Sequence, residues 1–209
     1  MNKFITIILL FNSLVIFCQT SSKIKNKYLL DIKLQQSIIM GMKNSMGNLN
    51  KDFNPIKSTF SIAFGSCSSE ENDLPIFNNI VKHQPDLFIF LGDNIYGDTK
   101  NIDTLKKKYH KLSKKLSFQN LIKNIPVIAT WDDHDYGWND IGKDYQLKKE
   151  SKKVFLDFFA ESDSSFRRMH EGIYHSYYYK IKNKIIQIIL LDLRTFRDDL
   201  TNYNGEFDE

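Results

Sequence analysis

The sequence predicts an α/β fold built on a parallel sheet, and three observations point to it. First, short apolar runs at residues 59–64, 86–91 and 126–130 alternate with amphipathic stretches. Buried parallel strands with helical returns have this pattern. Second, each run stops at a polar cluster, at Gly65-Ser66-Cys67, at Gly92 to Tyr96 and at Asp132 to Asp135. Third, the intervening segments place apolar residues at helical spacing. Polar groups past the carboxyl ends of parallel strands line a shared crevice, and the chemistry is expected there.

The elements follow in order. Residues 59–64 form the first core strand. Leu74, Phe77, Ile80 and Val81 lie on one face of a crossover helix over 74–83, which Pro85 closes. Residues 86–91 are the second strand. Leu105, Tyr109, Leu112 and Leu116 stripe a helix over 103–116 whose lysines face solvent, and a short helix over 118–123 leads to the third strand, 126–130. A helix over 144–160 turns Leu147, Val154, Phe155, Phe158 and Phe159 inward, and 163–172 reads as a polar loop. Strands over 174–181 and 184–191 form a hairpin about Lys182-Asn183.

Size and composition bound the reading. The chain has 209 residues, 42% hydrophobic and 26% charged, enough for one domain with a real core. A net charge of +4 is dispersed along lysine-rich helices, a slight preference for anionic substrates. No basic-aromatic nucleic-acid motif is present, so no nucleic-acid partner is expected. Lys3 precedes an apolar run over 4–17, shorter than the ~20 residues of a membrane span and suited to a signal-peptide core. Residues 1–18 are therefore expected to be a signal peptide outside the fold, cleaved after Cys18, and the protein exported. Acylation of Cys18 and an uncleaved anchor are the alternatives. Residues 19–58, with a short helix over 28–40 and a loop over 41–58, read as an extension, and 59–209 as the functional domain.

Two cysteines are present, Cys18 and Cys67, so the mature chain carries one thiol. In an oxidising compartment metal ligation is one reason for it and simple burial another. Asp93 follows a glycine that allows a sharp turn off a strand, and Tyr96 lies three residues on. Carboxylate with phenolate suits ferric iron, and a Cys67 thiolate adds a soft ligand. Asp132, Asp133 and His134 offer carboxylates for a second cation and an imidazole as acid or base. Two metals ~4 Å apart clamp a phosphate and activate a bridging hydroxide. His83, His110, His170 and His175 lack such company and read as surface or structural.

FGSC, DLFIFLGDNIYGD and ATWDDHDYGWND, followed by FLDFFAESDSSFRRMHEGIYHSYYY and IIQIILLDLRTFRDD, together resemble the PhoD-type alkaline phosphatase family of metallophosphoesterases over about residues 59–200. The resemblance implies a four-layer α/β/β/α sandwich with metals between the edges of two sheets, of which this chain holds mainly the N-terminal half. It implies Fe3+ and Ca2+ as cofactors and a small phosphoester substrate, monoester or diester, phospholipid head groups included. Carried over by motif, Cys67, Asp93 and Tyr96 hold the iron, Asp93 bridges to the second metal, and Asp133 supplies a further ligand. His134 meets the phosphate or leaving group, Asn94 hydrogen-bonds the phosphate, and Asp192 and Arg194 are mainly structural. The family pattern continues into a GD-x-H-type ligand motif that does not follow Asp192 here, so an incomplete domain is expected. The functional expectation is metal-dependent phosphoester hydrolysis by a monomer. The alternative is a truncated, non-catalytic exported domain that binds phosphate or a partner.

Overall fold

The computed structural model describes residues 3–10, 13–20 and 59–200. The helix and loop expected over 28–58 lie outside the described residues. Two sheets form the framework. The first contains β3 (Ile62–Gly65), β4 (Leu87–Phe90) and β5 (Val127–Ala129), all parallel, in that order. The second has the order β2 (Ser13–Thr20), β1 (Lys3–Leu10), β7 (Lys184–Leu190), β6 (His175–Ile181).

Helices α1 (Pro75–His83), α2 (Ile102–Ser113), α3 (Leu116–Asn124) and α5 (Lys148–Phe158) cover one face of the first sheet, and two single-turn helices join them, α4 (Asp133–Tyr136) and α6 (Phe166–Met169). Each long helix falls where the apolar periodicity places one, except that Leu116 opens α3 and is exposed rather than completing the stripe of α2. Helix α2 starts at Asn101, whose side-chain oxygen accepts the backbone N–H groups of Asp103 (2.9 Å) and Thr104 (3.2 Å). This satisfies two donors that a helix start leaves unpaired.

Strand β4 shows how the layers are assembled, because successive side chains of a strand point to opposite faces. Phe88 and Phe90 enter the helical core beside Phe77, Leu105 and Phe118, while Leu87, Ile89 and Leu91 enter a second core against Tyr177, Tyr179, Ile186, Ile188 and Leu190 of the other sheet. Leu87 and Ile89 are wholly buried, each worth about 1.5–3 kcal/mol in side-chain burial. In the helical core Phe77 meets Phe90 edge-on at 5.8 Å, the arrangement aromatic quadrupoles favour. The described residues thus form helices, sheet and sheet as three layers of an α/β fold. The outer helical layer of the expected sandwich is not found among them.

Two segments carry more structure than the sequence reading gave them. First, the apolar leader contains β1, which runs parallel to β7, and β2, which returns antiparallel. The physical reason lies in β7, an apolar strand whose second edge presents unpaired backbone groups. Such an edge attracts any segment rich in β-branched residues. Second, the supposed polar loop over 163–172 contains α6, and its Arg167 is interior at 1% exposure. The guanidinium donates to the carbonyls of Ile173 (3.0 Å) and Ala129 (2.9 Å), to Glu161 (3.1 Å) and to the Tyr177 hydroxyl (3.1 Å). It ties α6 to β5 and β6.

Candidate metal centre

The three polar clusters meet because the ladder between parallel strands continues past the strand ends. Leu91 donates to the Gly65 carbonyl (2.9 Å), Cys67 to Gly92 (3.2 Å) and Ser68 to Asp93 (2.8 Å), so the loops after β3 and β4 run side by side. Gly92, at φ +114°, lets the loop after β5 close in. A Cβ there would stand 2.7 Å from the Asp132 Cβ and 2.8 Å from the Asp132 nitrogen. Cys67 and Asp93 both adopt left-handed backbone, φ +60° and +50°. Non-glycine residues take that conformation at a cost, and here it occurs at two of the residues singled out as ligands.

From the third side comes α4, a single turn held by a reciprocal cap. The Asp132 side chain accepts an N–H of the turn, and Asp135 accepts the Asp132 N–H at 2.6 Å. The other Asp135 oxygen accepts from the Asn94 backbone (3.1 Å) and side chain (2.5 Å), clipping the β4 and β5 loops together. Burial pushes the Asp135 carboxyl well above the usual carboxylate range, with Asp93 adding to it.

The result is a cluster in which Asp93, Asp133 and His134 each offer a ligand atom, all within 4.8 Å of one another. Cys67 Sγ lies 3.6 Å from Asp93 Oδ2, and the Tyr96 ring lies 4.4 Å from the His134 ring. Asp93 Oδ1 is buried and has no hydrogen-bond partner among the described residues. Burial, then the carboxylates of Asp132 and Asp133, lift Asp93 to about 6. Burial and a hydrogen bond with Cys67 hold the Tyr96 phenol well above its ordinary value. A buried, unpartnered carboxylate oxygen among further carboxylates, a thiol, an imidazole and a phenol is a donor set in want of a cation. The residues fit a metal.

The structure brings together Cys67, Asp93, Tyr96, Asp133 and His134. Asn94 is placed differently. It is fully buried, and its amide donates to the Thr130 carbonyl (2.9 Å) as well as to Asp135, so its hydrogens are spent on holding the loop rather than open to a phosphate. Asp192 organises the turn after β7, accepting from the Trp131 indole (3.0 Å), the Ile173 backbone (2.8 Å) and Thr195 Oγ1 (2.7 Å). Arg194 reaches into the centre. Its Nε pairs with Asp132 Oδ1, and Nη2 lies 3.5 Å from Asp133 Oδ1.

Sequence reading missed Asp98, whose Oδ1 meets His134 Nδ1 at 2.6 Å and fixes which ring nitrogen faces the centre. Burial alone would lower His134, but this contact and the carboxylates of Asp93, Asp98 and Asp133 raise it. It also missed Glu70, wholly buried, which accepts the Tyr96 backbone N–H (2.9 Å) and pairs with Lys108 (2.6 Å). Asp98 carried a signal in the second glycine–aspartate pair of GDNIYGD, while Glu70 carried none.

The arrangement can be compared with known proteins. A family model described as PhoD-like phosphatase matches residues 62–208. Comparison with curated proteins finds no significant match. Among solved structures, one titled "Structure of PhoD" superposes with a TM-score of 0.58 at 19% identity, covering 68% of this chain and 33% of that one. The chain therefore spans about a third of that protein's length, and the likeness shows a shared fold. With the family match running from β3 through the whole site, the chain belongs to the PhoD-like phosphatase family.

Proposed function

We propose that this site hydrolyses phosphoesters with bound metal, as a phosphomonoesterase or phosphodiesterase. The observation that supports it most is the buried, unpartnered Oδ1 of Asp93, set beside Asp133 and His134. Cys67 Sγ lies 3.6 Å from Asp93, and Asp133 shares its cluster, so Asp93 would be a ligand common to both donor sets. Fe3+ with the thiol and phenol, and Ca2+ with the carboxylates, matches ligand softness. When bound, such a pair polarises the phosphoryl oxygens and lowers the pKa of water. The chain's own residues do the rest. Arg194 restrains Asp132 and Asp133 so that their carboxylates stay oriented. Asp98 holds Nδ1 of His134, leaving Nε2 toward the leaving oxygen, where it delivers a proton. We further infer export, from the apolar leader, and a small anionic phosphoester substrate.

The direct test supplies iron and calcium to the purified chain and assays an activated phosphomonoester and an activated phosphodiester. Turnover is expected. Phosphate binding without turnover or bound metal would favour a non-catalytic binding domain instead. A sharper test concerns colour. Iron held by Cys67 and Tyr96 should show a visible charge-transfer band that Cys67→Ser shifts and Tyr96→Phe removes. A colourless protein that contains iron and turns over substrate would refute this ligand set.

The same geometry allows His134 to act as a third ligand, since a ring nitrogen of it lies within 4.8 Å of ligand oxygens of both Asp93 and Asp133. Asp98→Asn separates the two roles. If His134 is the acid, turnover of esters with poor leaving groups falls about 10- to 100-fold, esters with good leaving groups are spared, and metal content is unchanged. Loss of metal with equal slowing of both substrates would assign His134 to ligation.

A further inference from the structure

A cavity of about 660 Å³ lies along α5 on the far side of Trp131, and none of Asp93, Asp133 or His134 lines it. Its wall carries five cations, Lys148, Lys149, Lys152, Lys153 and Arg168, against one carboxylate, Glu171. A lysine run on a helix is ordinarily a solvated face, and here the pairing and the shape argue otherwise. Lys148 is taken by Glu171 (3.1 Å), while Lys153 (2.6 Å) and Arg168 (2.9 Å) share Asp157. Lys149 and Lys152 have no carboxylate partner among the described residues. Lys152 is half-buried, and its ammonium donates only to the His170 carbonyl. Burial and then the neighbouring Arg167 and Arg168 disfavour its charge. The cations stand along the walls of a half-open groove backed by the buried side chains of Trp131 and Leu156, and a cleft lined by one sign of charge concentrates anions there.

Lys149 and Lys152 stand three positions apart on one helix, which puts their stems roughly 5–6 Å from each other. That spacing suits two phosphate groups of one molecule better than a single ion. We propose that this groove is a second anion site, separate from the metal centre, that binds a short oligophosphate. Lys149 and Lys152 make the main contacts, and Arg168 lies within the same wall.

The test uses the full chain stripped of metal with a chelator, and isothermal titration with inorganic tripolyphosphate. Tripolyphosphate should bind, orthophosphate much more weakly, and rising salt should weaken both. The double variant Lys149→Gln/Lys152→Gln should lose about tenfold in affinity. Lys149→Gln alone, at an exposed position that folding does not need, should lose about threefold. Asp93→Asn should bind as the parent chain does, whether or not the metal centre proves catalytic. The proposal is overturned if tripolyphosphate does not bind, if the lysine variants bind it unchanged, or if Asp93→Asn abolishes binding and so places the anion at the metal centre.

Discussion

Asp93→Asn is expected to abolish phosphoester turnover and, at pH 7, to leave the metal-free protein more stable than the parent. Asparagine tolerates left-handed backbone, so φ +50° is no obstacle. It keeps the volume of the side chain and removes only the charge. That charge is costly without metal, because burial, then Asp132 and Asp133, raise the carboxyl from 3.8 to about 6. A raised acid subtracts stability once the pH exceeds its unfolded value, and the full penalty is felt above the folded value. The parent and the variant should therefore be alike below about pH 4, diverge between pH 4 and 6, and differ above pH 6 by up to about 3 kcal/mol. Denaturant titration across that range reads the gap. Activity should fall at least about a hundredfold if Asp93 is the proposed metal ligand, and elemental analysis should show metal lost. Parental activity in the variant would end the assignment of Asp93 as ligand. Equal stability at all pH values would mean that the carboxylate is not desolvated.

The opposite signs of these two effects explain why this part of the chain was so legible. A glycine before a carboxylate at the end of an apolar run, as at Gly92-Asp93, is a poor choice for stability, and all three core runs end at a polar cluster. Leu87–Phe90 was readable because burial on both faces leaves an unbroken apolar signature, and Ile62–Gly65 and Val127–Ala129 were readable from apolar runs that are only partly buried. So were the four long helices, by their apolar stripes. What failed to show was everything decided by partners distant in sequence. Asn94 looked like a phosphate contact because it sits between ligands, yet Asp135 and Thr130, 41 and 36 residues away, claim its amide. Glu70 matters through what it touches, and nothing in its neighbours announces it, while the glycine before Asp98 hinted at a turn but not at the His134 contact. The pairing of residues 3–10 with β7 was obscured for a related reason, since the same apolar composition serves an export leader and a strand equally well.

Arg167 is the clearest case of a residue hidden by its own polarity, and its replacement carries the second large prediction. The Arg167-Arg168 pair in a polar stretch reads as part of a loop, yet only Arg168 keeps part of its side chain in solvent, while Arg167 is 1% exposed. It joins segments distant in sequence through the Ala129 carbonyl at the end of β5, Tyr177 on β6, the Ile173 carbonyl and Glu161. Glu161 is itself buried, and its other oxygen accepts from Ser165 at 2.5 Å. Arg167→Met keeps the aliphatic stem but removes every donor. Two carbonyls, a phenol and above all a buried carboxylate are then left without their partner. Breaking one side of a buried ion pair costs about 3–5 kcal/mol, far more than the pair adds over an apolar substitute. The melting temperature should therefore drop by about 10 °C. Adding Glu161→Gln removes the stranded charge and should recover a large part of the loss, a non-additivity that separates a charge effect from simple loss of packing. Because Ala129 precedes Trp131 and the Asp132 cap by so few residues, the single variant should also loosen α4 and lower metal affinity, while the double variant restores both together. A melting temperature within 2 °C of the parent for Arg167→Met would show that water replaces the guanidinium without penalty and that the interior position is not what anchors this corner of the fold.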